Sequence, residues 1–420
     1  MLVGILPMQG FARPIAAVQT CHATAAQDER YADLRRNDER WICDSSRYDT
    51  SPDSIFLRYR LNPTTDTERA RSFVAQAGPF TAMTIWVVDT NGTVSNQRFA
   101  GSMVRHSTGG PFMAVTLPTT AAATQLVVVR IDRPWIKSIA SQAWLDSKPE
   151  GTGWSNGEMV AMALICGMLL APLLLNLAFF TVLRRSFVLW NVGVIFCMLV
   201  QALMKTGFVH LVIDIDSYVE SSVGTISLLA GVACSLMLIA TFIEPDCQSL
   251  RIRALLKFTA PMLVFTAVIS ELLLQELRSY GILTAYIAAG LTVPLMVAAL
   301  IDAWQRGSRA VYFLIAGWAP ILVIAAYRIA SYLLPTANPT ESVLPFQFAV
   351  ALDVLVVSLG IVVRFVELRL ERDRATARAI ELEDVAGHDP LTGLWNRRSI
   401  EQQFEALYAD GFRTDRKSVV

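Results

Sequence analysis

Between residues 159 and 366 the chain carries seven apolar stretches, each near the length of a bilayer crossing, and these constrain the fold more than any other feature. They run near 159–183, 187–205, 219–243, 258–274, 281–301, 311–334 and 343–366. A helix needs about 20 apolar residues to cross the hydrocarbon core of a membrane. One such stretch could be the buried helix of a soluble protein, but seven in succession leave too little polar surface to cover them. Composition agrees: 53% of the 420 residues are hydrophobic and only 17% are charged, against roughly 25% charged in a soluble domain. The formal net charge is zero, which gives no electrostatic basis for nucleic-acid binding. The chain reads as a multi-pass membrane protein.

Lys and Arg in the short connections set the expected orientation. The connections after the first, third and fifth spans hold Arg184, Arg185, Arg251, Arg253, Lys257, Arg306 and Arg309. Those on the other side offer Lys205 and Arg278, so the count is seven against two. The basic side is therefore expected in the cytoplasm, with residues 1–158 outside and the tail after Arg364 inside. Within the spans, Arg328 and Asp353 read as an intramembrane pair, because a lone charge in lipid is costly. The plainer alternative has Arg328 snorkelling to the interface beside Tyr327 and Tyr332, with Asp353 neutral or bonded to backbone.

Residues 1–26 are small and apolar and read as a signal peptide, with Ala23-Thr24-Ala25 resembling a cleavage site. Arg13 interrupts the apolar run and no Lys or Arg precedes it. If export removes Cys21 with the leader, Cys43 is the sole external cysteine and no internal disulfide is expected. Cys166, Cys197, Cys234 and Cys247 lie in or beside spans without metal-ligand spacing, so no metal site is expected.

From 28 to 145 the periodicity changes to that of strands. Ile55, Leu57, Tyr59 and Leu61 alternate with Phe56, Arg58 and Arg60, the period of two of a half-buried strand. Similar runs occur at 71–76, 82–89, 93–99, 112–117 and 125–131, and Asn91-Gly92 marks a tight hairpin between two of them. Short strands at this spacing predict an all-β sandwich of jelly-roll type. Trp41, Trp86, Trp135 and Trp144 could form a stacking platform for a ligand. The simpler reading has Trp86 filling the core and Trp135 and Trp144 at the membrane interface. Residues 146–158, with Pro149, Gly151, Gly153 and Gly157, read as a linker.

After the seventh span, residues 367–387 are expected to continue as a signalling helix. Phe365, Leu368, Arg372, Ala375, Ala379, Leu382 and Ala386 follow the three-and-four spacing of a weak coiled-coil seam, which implies a parallel homodimer. Gly387 and Pro390 then end the helix. In the segment from 388 to 420, Asp389, Leu391, Thr392, Gly393, Leu394, Asn396, Arg397 and Arg398 match every specified position of Asp-x-Leu-Thr-Gly-Leu-x-Asn-Arg-Arg.

That pattern resembles the opening of GGDEF domains, the catalytic domains of diguanylate cyclases, whose fold is α/β. The resemblance implies conversion of two GTP to cyclic di-GMP, with Mg2+ and GTP as the ligands of the complete domain. It implies a structural role for the eight matching residues, in which Asp389 clasps the arginines across the turn. The Gly-Gly-Asp/Glu-Glu-Phe turn does not occur in these 420 residues, so no catalytic residue is assigned and the chain as it stands is expected to be inactive, a GGDEF domain cut short. The whole plan, exported β domain, seven spans and cytoplasmic effector, resembles bacterial seven-transmembrane receptors with diverse intracellular signalling modules. This implies an inner-membrane location, a periplasmic sensor domain and a carbohydrate-like external ligand. The alternative is a non-enzymatic receptor that signals through dimerisation or partner proteins. A transporter would leave the β domain and the connecting helix without a role.

Overall fold

The computed structural model describes residues 15, 17–43, 53–62, 70–104, 110–120, 122–136, 138–147, 156–213, 215–273, 278–333, 343–387, 400 and 404, with backbone alone at 156, 183, 272–273, 278–286, 325, 328–333 and 380–387.

Among the described residues nine strands build the N-terminal domain: β1 (Gln19–Ala25), β2 (Ile42–Cys43), β3 (Ser54–Arg60), β4 (Ser72–Gln76), β5 (Ala82–Asp89), β6 (Val94–Ala100), β7 (Phe112–Thr116), β8 (Thr124–Asp132) and β9 (Trp144–Asp146). Two short helices, α1 (Tyr31–Arg35) and α2 (Ser138–Ser141), sit among them. One sheet has the order β2-β1-β3-β8-β5-β6 and the other β7-β4-β9. Alternation along the strands sends Ile55, Leu57, Met83, Ile85, Val87, Val127, Val129 and Ile131 to one face. There they meet Phe73, Met113, Val115 and Leu145 of the second sheet in a single core. Burying each large side chain stabilises the domain by roughly 1.5–3 kcal/mol relative to exposure. Asn91-Gly92 forms the expected hairpin: Gly92 adopts a φ of 81°, and the Asp89 carboxylate accepts from the backbone N–H of Asn91 at 3.0 Å and of Thr93 at 2.8 Å.

Three expectations are corrected here. Gln19–Ala25 is a strand paired along its length with β3, from Gln19↔Arg60 to Ala25↔Ser54. The leader boundary expected after Ala25 would cut this strand from the sheet. Second, Cys21 and Cys43 face each other in register and form a disulfide. Assigning Cys21 to a leader had hidden this partnership. Third, the two sheets divide unequally, six strands against three, because β1 and β2, not among the strand runs read in the sequence, widen one sheet.

Among the described residues seven long helices follow: α3 (Asn156–Leu183), α4 (Ser186–Lys205), α5 (Ser217–Phe242), α6 (Leu250–Leu273), α7 (Arg278–Gln305), α8 (Val311–Leu333) and α9 (Val343–Gly387). Among the described residues six of them are long and apolar enough to cross a membrane, and α8 contributes a shorter apolar run, Val311–Ile324. Their outward sides expose Leu164, Leu174, Phe196, Phe258, Phe265 and Leu291. Water would not tolerate an apolar surface of that extent, whereas lipid does. The protein is a multi-pass membrane protein. Arg251, Arg253 and Lys257, expected in a connection, instead occupy the first turns of α6.

Inside the bundle, Met162, Ile165 and Leu169 of α3 pack with Val194, Ile195 and Met198 of α4 and with Val350, Ala351 and Val354 of α9. Small residues let α4 and α5 approach closely: a Cβ on Gly193 would lie 2.9 Å from Cys234 Sγ. Within the unit that ends at Leu359, α9 also makes the polar contacts. Gln347 Nε2 donates to Gln201 Oε1 of α4 at 2.7 Å, and Asn176 Nδ2 of α3 donates to Ser358 Oγ at 3.0 Å. The second unit begins at Gly360. Its described part includes the helical continuation to Gly387, with Arg364 Nη1 donating to Glu367 at 3.1 Å and residues 369–379 exposed.

Candidate functional site

The face of the six-stranded sheet opposite the core carries the site. Because Met83, Ile85 and Val87 point inward, Thr84 and Trp86 between them must point outward. Register then assembles rows across the sheet. Arg98 lies beside Thr84, Thr84 beside Arg130, and Arg130 beside Phe56. One row along, Asn96 faces Trp86, Trp86 faces Val128, and Val128 faces Arg58. A chain segment from Ala26 to Trp41, including α1, covers the β1–β3 end of this face. It buries Leu34 and Trp41 against Cys21, Ala23, Phe56 and Val128.

Two arginines pin that segment down. Arg130 donates from Nε to Asp132 at 2.5 Å, from Nη1 to the Glu29 carbonyl at 2.7 Å, and from Nη2 to the Gln27 carbonyl at 2.7 Å and Ser54 Oγ at 3.1 Å. Arg58 donates to Asp38 at 2.7 Å and stacks over the Trp41 ring at 4.3 Å. Within the segment Arg40 donates to the Glu29 carboxylate; hydrogen bonds from Arg40 to Glu29 and from Arg58 to Asp38 hold both carboxyls below the usual carboxylate range. Tyr31 stacks on Trp86 at 5.4 Å between ring centroids, and burial pushes the Tyr31 phenol up from its ordinary value. The disulfide Cys21–Cys43 closes the same segment onto the sheet.

Where the segment leaves the face open, a cleft of about 360 Å³ remains. Thr84, Trp86, Arg98, Arg130 and Asp132 form its floor, and Gln27, Asp28 and Arg30 form its wall. Such a volume lies within the range of small-ligand sites. Trp86 is thus half-buried beside the cleft and not in the core between the sheets, which corrects the plainer reading of this residue. Of the other tryptophans, Trp41 ends the covering segment and is buried against the sheet, and Trp144 packs edge-on against Phe112 at 5.0 Å. Trp135 meets Tyr218 of α5. The four do not form one platform.

Asp353 is buried, and its Oδ1 has no hydrogen-bond partner among the described residues. It abuts Gly317 of α8, where a Cβ would collide with the carboxylate. Arg328 lies on α8 eleven positions further along, roughly 16 Å of helix rise, and its side chain is outside the described residues. Asp389, Leu391, Thr392, Gly393, Leu394, Asn396, Arg397 and Arg398 also lie outside the described residues.

Among the described residues two contacts join the sheet domain to the bundle. Trp135 packs on Tyr218, and the carbonyl of Gly110 lies against Gly207 in the α4–α5 connection. Tyr218 and Ser222 both reach α6: the phenol donates to the Glu271 carbonyl at 3.1 Å and Ser222 Oγ to the Glu271 carboxylate at 2.6 Å.

These features define a multi-pass membrane protein with a β domain, carrying a ligand-sized cleft, at the head of a helical bundle. Residues 158–364 match the model of the family described as 7TM diverse intracellular signalling. The match spans a little under half of the chain and supports a membrane sensor or receptor role. A comparison with curated proteins finds no match.

Proposed function

We propose that the protein is a bacterial inner-membrane receptor. Its periplasmic sheet domain takes a small ligand at the cleft, and the bundle passes the change to α9 and to a diguanylate-cyclase-type domain opening at Asp389. The observation that carries this reading is the position of α9. One helix forms part of the bundle core, bonds to α3 and α4 through Ser358 and Gln347, and runs on to Gly387 beside the opening motif. Its 45 residues are about twice what a crossing needs. The excess of Lys and Arg on one set of connections supports a cytoplasmic tail, and the match to 7TM diverse intracellular signalling supports the sensor role. The three-and-four spacing from Phe365 to Ala386 supports a parallel dimer, which a cyclase joining two GTP molecules requires. Mg2+ and GTP would belong to that completed domain.

The test is a chimera in which the chain through Gly387 continues into an intact GGDEF domain in native helical register. Cyclic di-GMP output should be present and should change when two residues are inserted after Arg372, because that turns everything beyond by about 200°. Output indifferent to one, two and three inserted residues would remove the relay through α9.

A further inference from the structure

We propose that Cys197 on α4 and Cys234 on α5 are a redox pair, which a lipid-soluble hydroperoxide closes into a disulfide that fastens the two helices together. Both cysteines are free and only partly buried, and both stand within apolar spans. Packing brings them together. A Cβ on Gly193 would lie 2.9 Å from Cys234 Sγ and 3.6 Å from its Cβ, and one on Gly231 would lie 3.3 Å from Cys197 Cβ. Each cysteine thus sits against a glycine of the facing helix. Gly193 and Cys197 are four residues apart and Gly231 and Cys234 three, so each pair shares one face of its helix. The two thiols meet diagonally across this gap and share a hydrogen bond. A lone buried cysteine packs as a small apolar group. Two whose sulfurs touch across a helix pair are one two-electron oxidation away from a bond.

A disulfide needs Cβ atoms about 3.5–4.5 Å apart, and at the two glycines α4 and α5 already approach that closely. Because the cysteines are diagonal, closing the bond asks for a slide of α4 along α5 smaller than one helical turn of about 5.4 Å. The chemistry balances in two steps. One sulfur attacks an oxygen of the hydroperoxide: the O–O bond breaks, the alcohol leaves with the thiol proton, and a sulfenic acid forms. The second sulfur then attacks that sulfenic acid. The S–S bond forms, the S–O bond breaks, and the hydroxyl leaves as water with the second thiol proton. The sulfurs have lost two electrons and the peroxide has gained them. Contact between the thiols places the second sulfur for this displacement ahead of further oxidation. The location selects the oxidant, since a charged one would pay heavily to enter an apolar span. The new bond would act on a helix pair whose connection bears on the sheet domain, where Gly207 lies against the Gly110 carbonyl and Tyr218 against Trp135.

The experiment uses the full chain in lipid nanodiscs with Cys166→Ser and Cys247→Ser, which leaves the two thiols and the Cys21–Cys43 disulfide. Cumene hydroperoxide is added, and a digest is read by mass spectrometry without reduction. A peptide joining the Cys197 and Cys234 fragments of one chain should appear, with both thiols lost and both recovered on adding dithiothreitol. Hydrogen exchange from Met204 to Ser222 should slow by roughly tenfold or more as the bond forms. In the same background, Cys197→Ser should give no such peptide and no change in exchange. Two thiols that stay titratable in excess hydroperoxide, a sulfenic or sulfinic acid without the link, a bond between two chains, or a link that leaves exchange unaltered overturns the proposal. None of these readouts depends on which side of the membrane the sheet domain faces, so failure here is distinct from a failure of the receptor reading.

Discussion

Trp135, in the loop that leaves β8, meets the ring of Tyr218 edge-on, with ring centroids 5.4 Å apart and an angle of 87° between the planes. Tyr218 lies in the first turn of α5, and its hydroxyl reaches the Glu271 carbonyl of α6. One side chain of the sheet domain thereby bears on two membrane helices. In a double-mutant cycle on thermal unfolding, Trp135→Ala and Tyr218→Ala should couple by about 0.5–1.5 kcal/mol. Tyr218→Phe keeps the ring and should keep the coupling. Additive losses would mean the contact contributes nothing.

Gly207 and Gly307 offer a controlled comparison. Both adopt left-handed backbone, with φ of 71° and 78°. A Cβ on Gly207 would lie 2.8 Å from the Gly110 carbonyl oxygen, while one on Gly307 would meet nothing within 4 Å. Gly307→Ala should cost about 1 kcal/mol, the left-handed penalty alone. Gly207→Ala must also displace backbone of the sheet domain and should cost roughly twice that or more. Unfolding temperatures of the two variants decide, and equal losses would contradict the close approach.

The disulfide should appear as a single cystine-linked peptide joining the Cys21 and Cys43 fragments in a non-reducing digest. Its sequence separation is 22 residues, and closing a loop of that size constrains the unfolded chain by about 3 kcal/mol. Denaturant unfolding of Cys21→Ser with Cys43→Ser should show a loss of that order. The change should also loosen the cleft wall, because Gln27, Asp28 and Arg30 lie inside the closed loop.

Acid should release the covering segment. Glu29 and Asp38 have their carboxyls held low by Arg40 and Arg58 respectively. A depressed acid contributes its full stabilisation above its unfolded value of about 4 and loses it as pH falls through the lowered folded value. Hydrogen exchange over residues 26–41, corrected for intrinsic rates, should therefore be flat from pH 7 to 5 and rise below about pH 4. Glu29→Gln should raise exchange at neutral pH and blunt the acid response. A rise centred near pH 6 would point to some other group.

Periodicity made much of this fold legible. Ile55-Phe56-Leu57-Arg58-Tyr59 announces β3, and the Asp89-to-Thr93 turn fixes the β5–β6 hairpin. Uninterrupted apolar length placed α3 to α9 within a few residues at most ends. What failed did so for local reasons. Ala23-Thr24-Ala25 has the small residues of a cleavage site, yet those residues fit against Phe56 beneath the covering segment, so smallness served packing. The two-residue strand Ile42–Cys43 is too short to show a period, and the disulfide was missed with it. Trp86 was misread because Ile85, Trp86, Val87 and Val88 form one apolar run. Strict alternation with Ile85 and Val87 would have turned Trp86 outward. The cleft was not legible, because Arg98, Thr84 and Arg130 become neighbours only through strand register.

The reading as a whole depends on the sheet domain and the far end of α9 lying on opposite sides of the membrane. Single cysteines at Gln97→Cys on β6 and Arg374→Cys on α9, both exposed positions, can be introduced with the four free cysteines replaced. Each is then treated with a membrane-impermeant maleimide in cells whose outer membrane alone has been opened. We expect labelling of Gln97→Cys at once and of Arg374→Cys only after the inner membrane is lysed. Labelling of both positions from the same side would contradict the receptor reading.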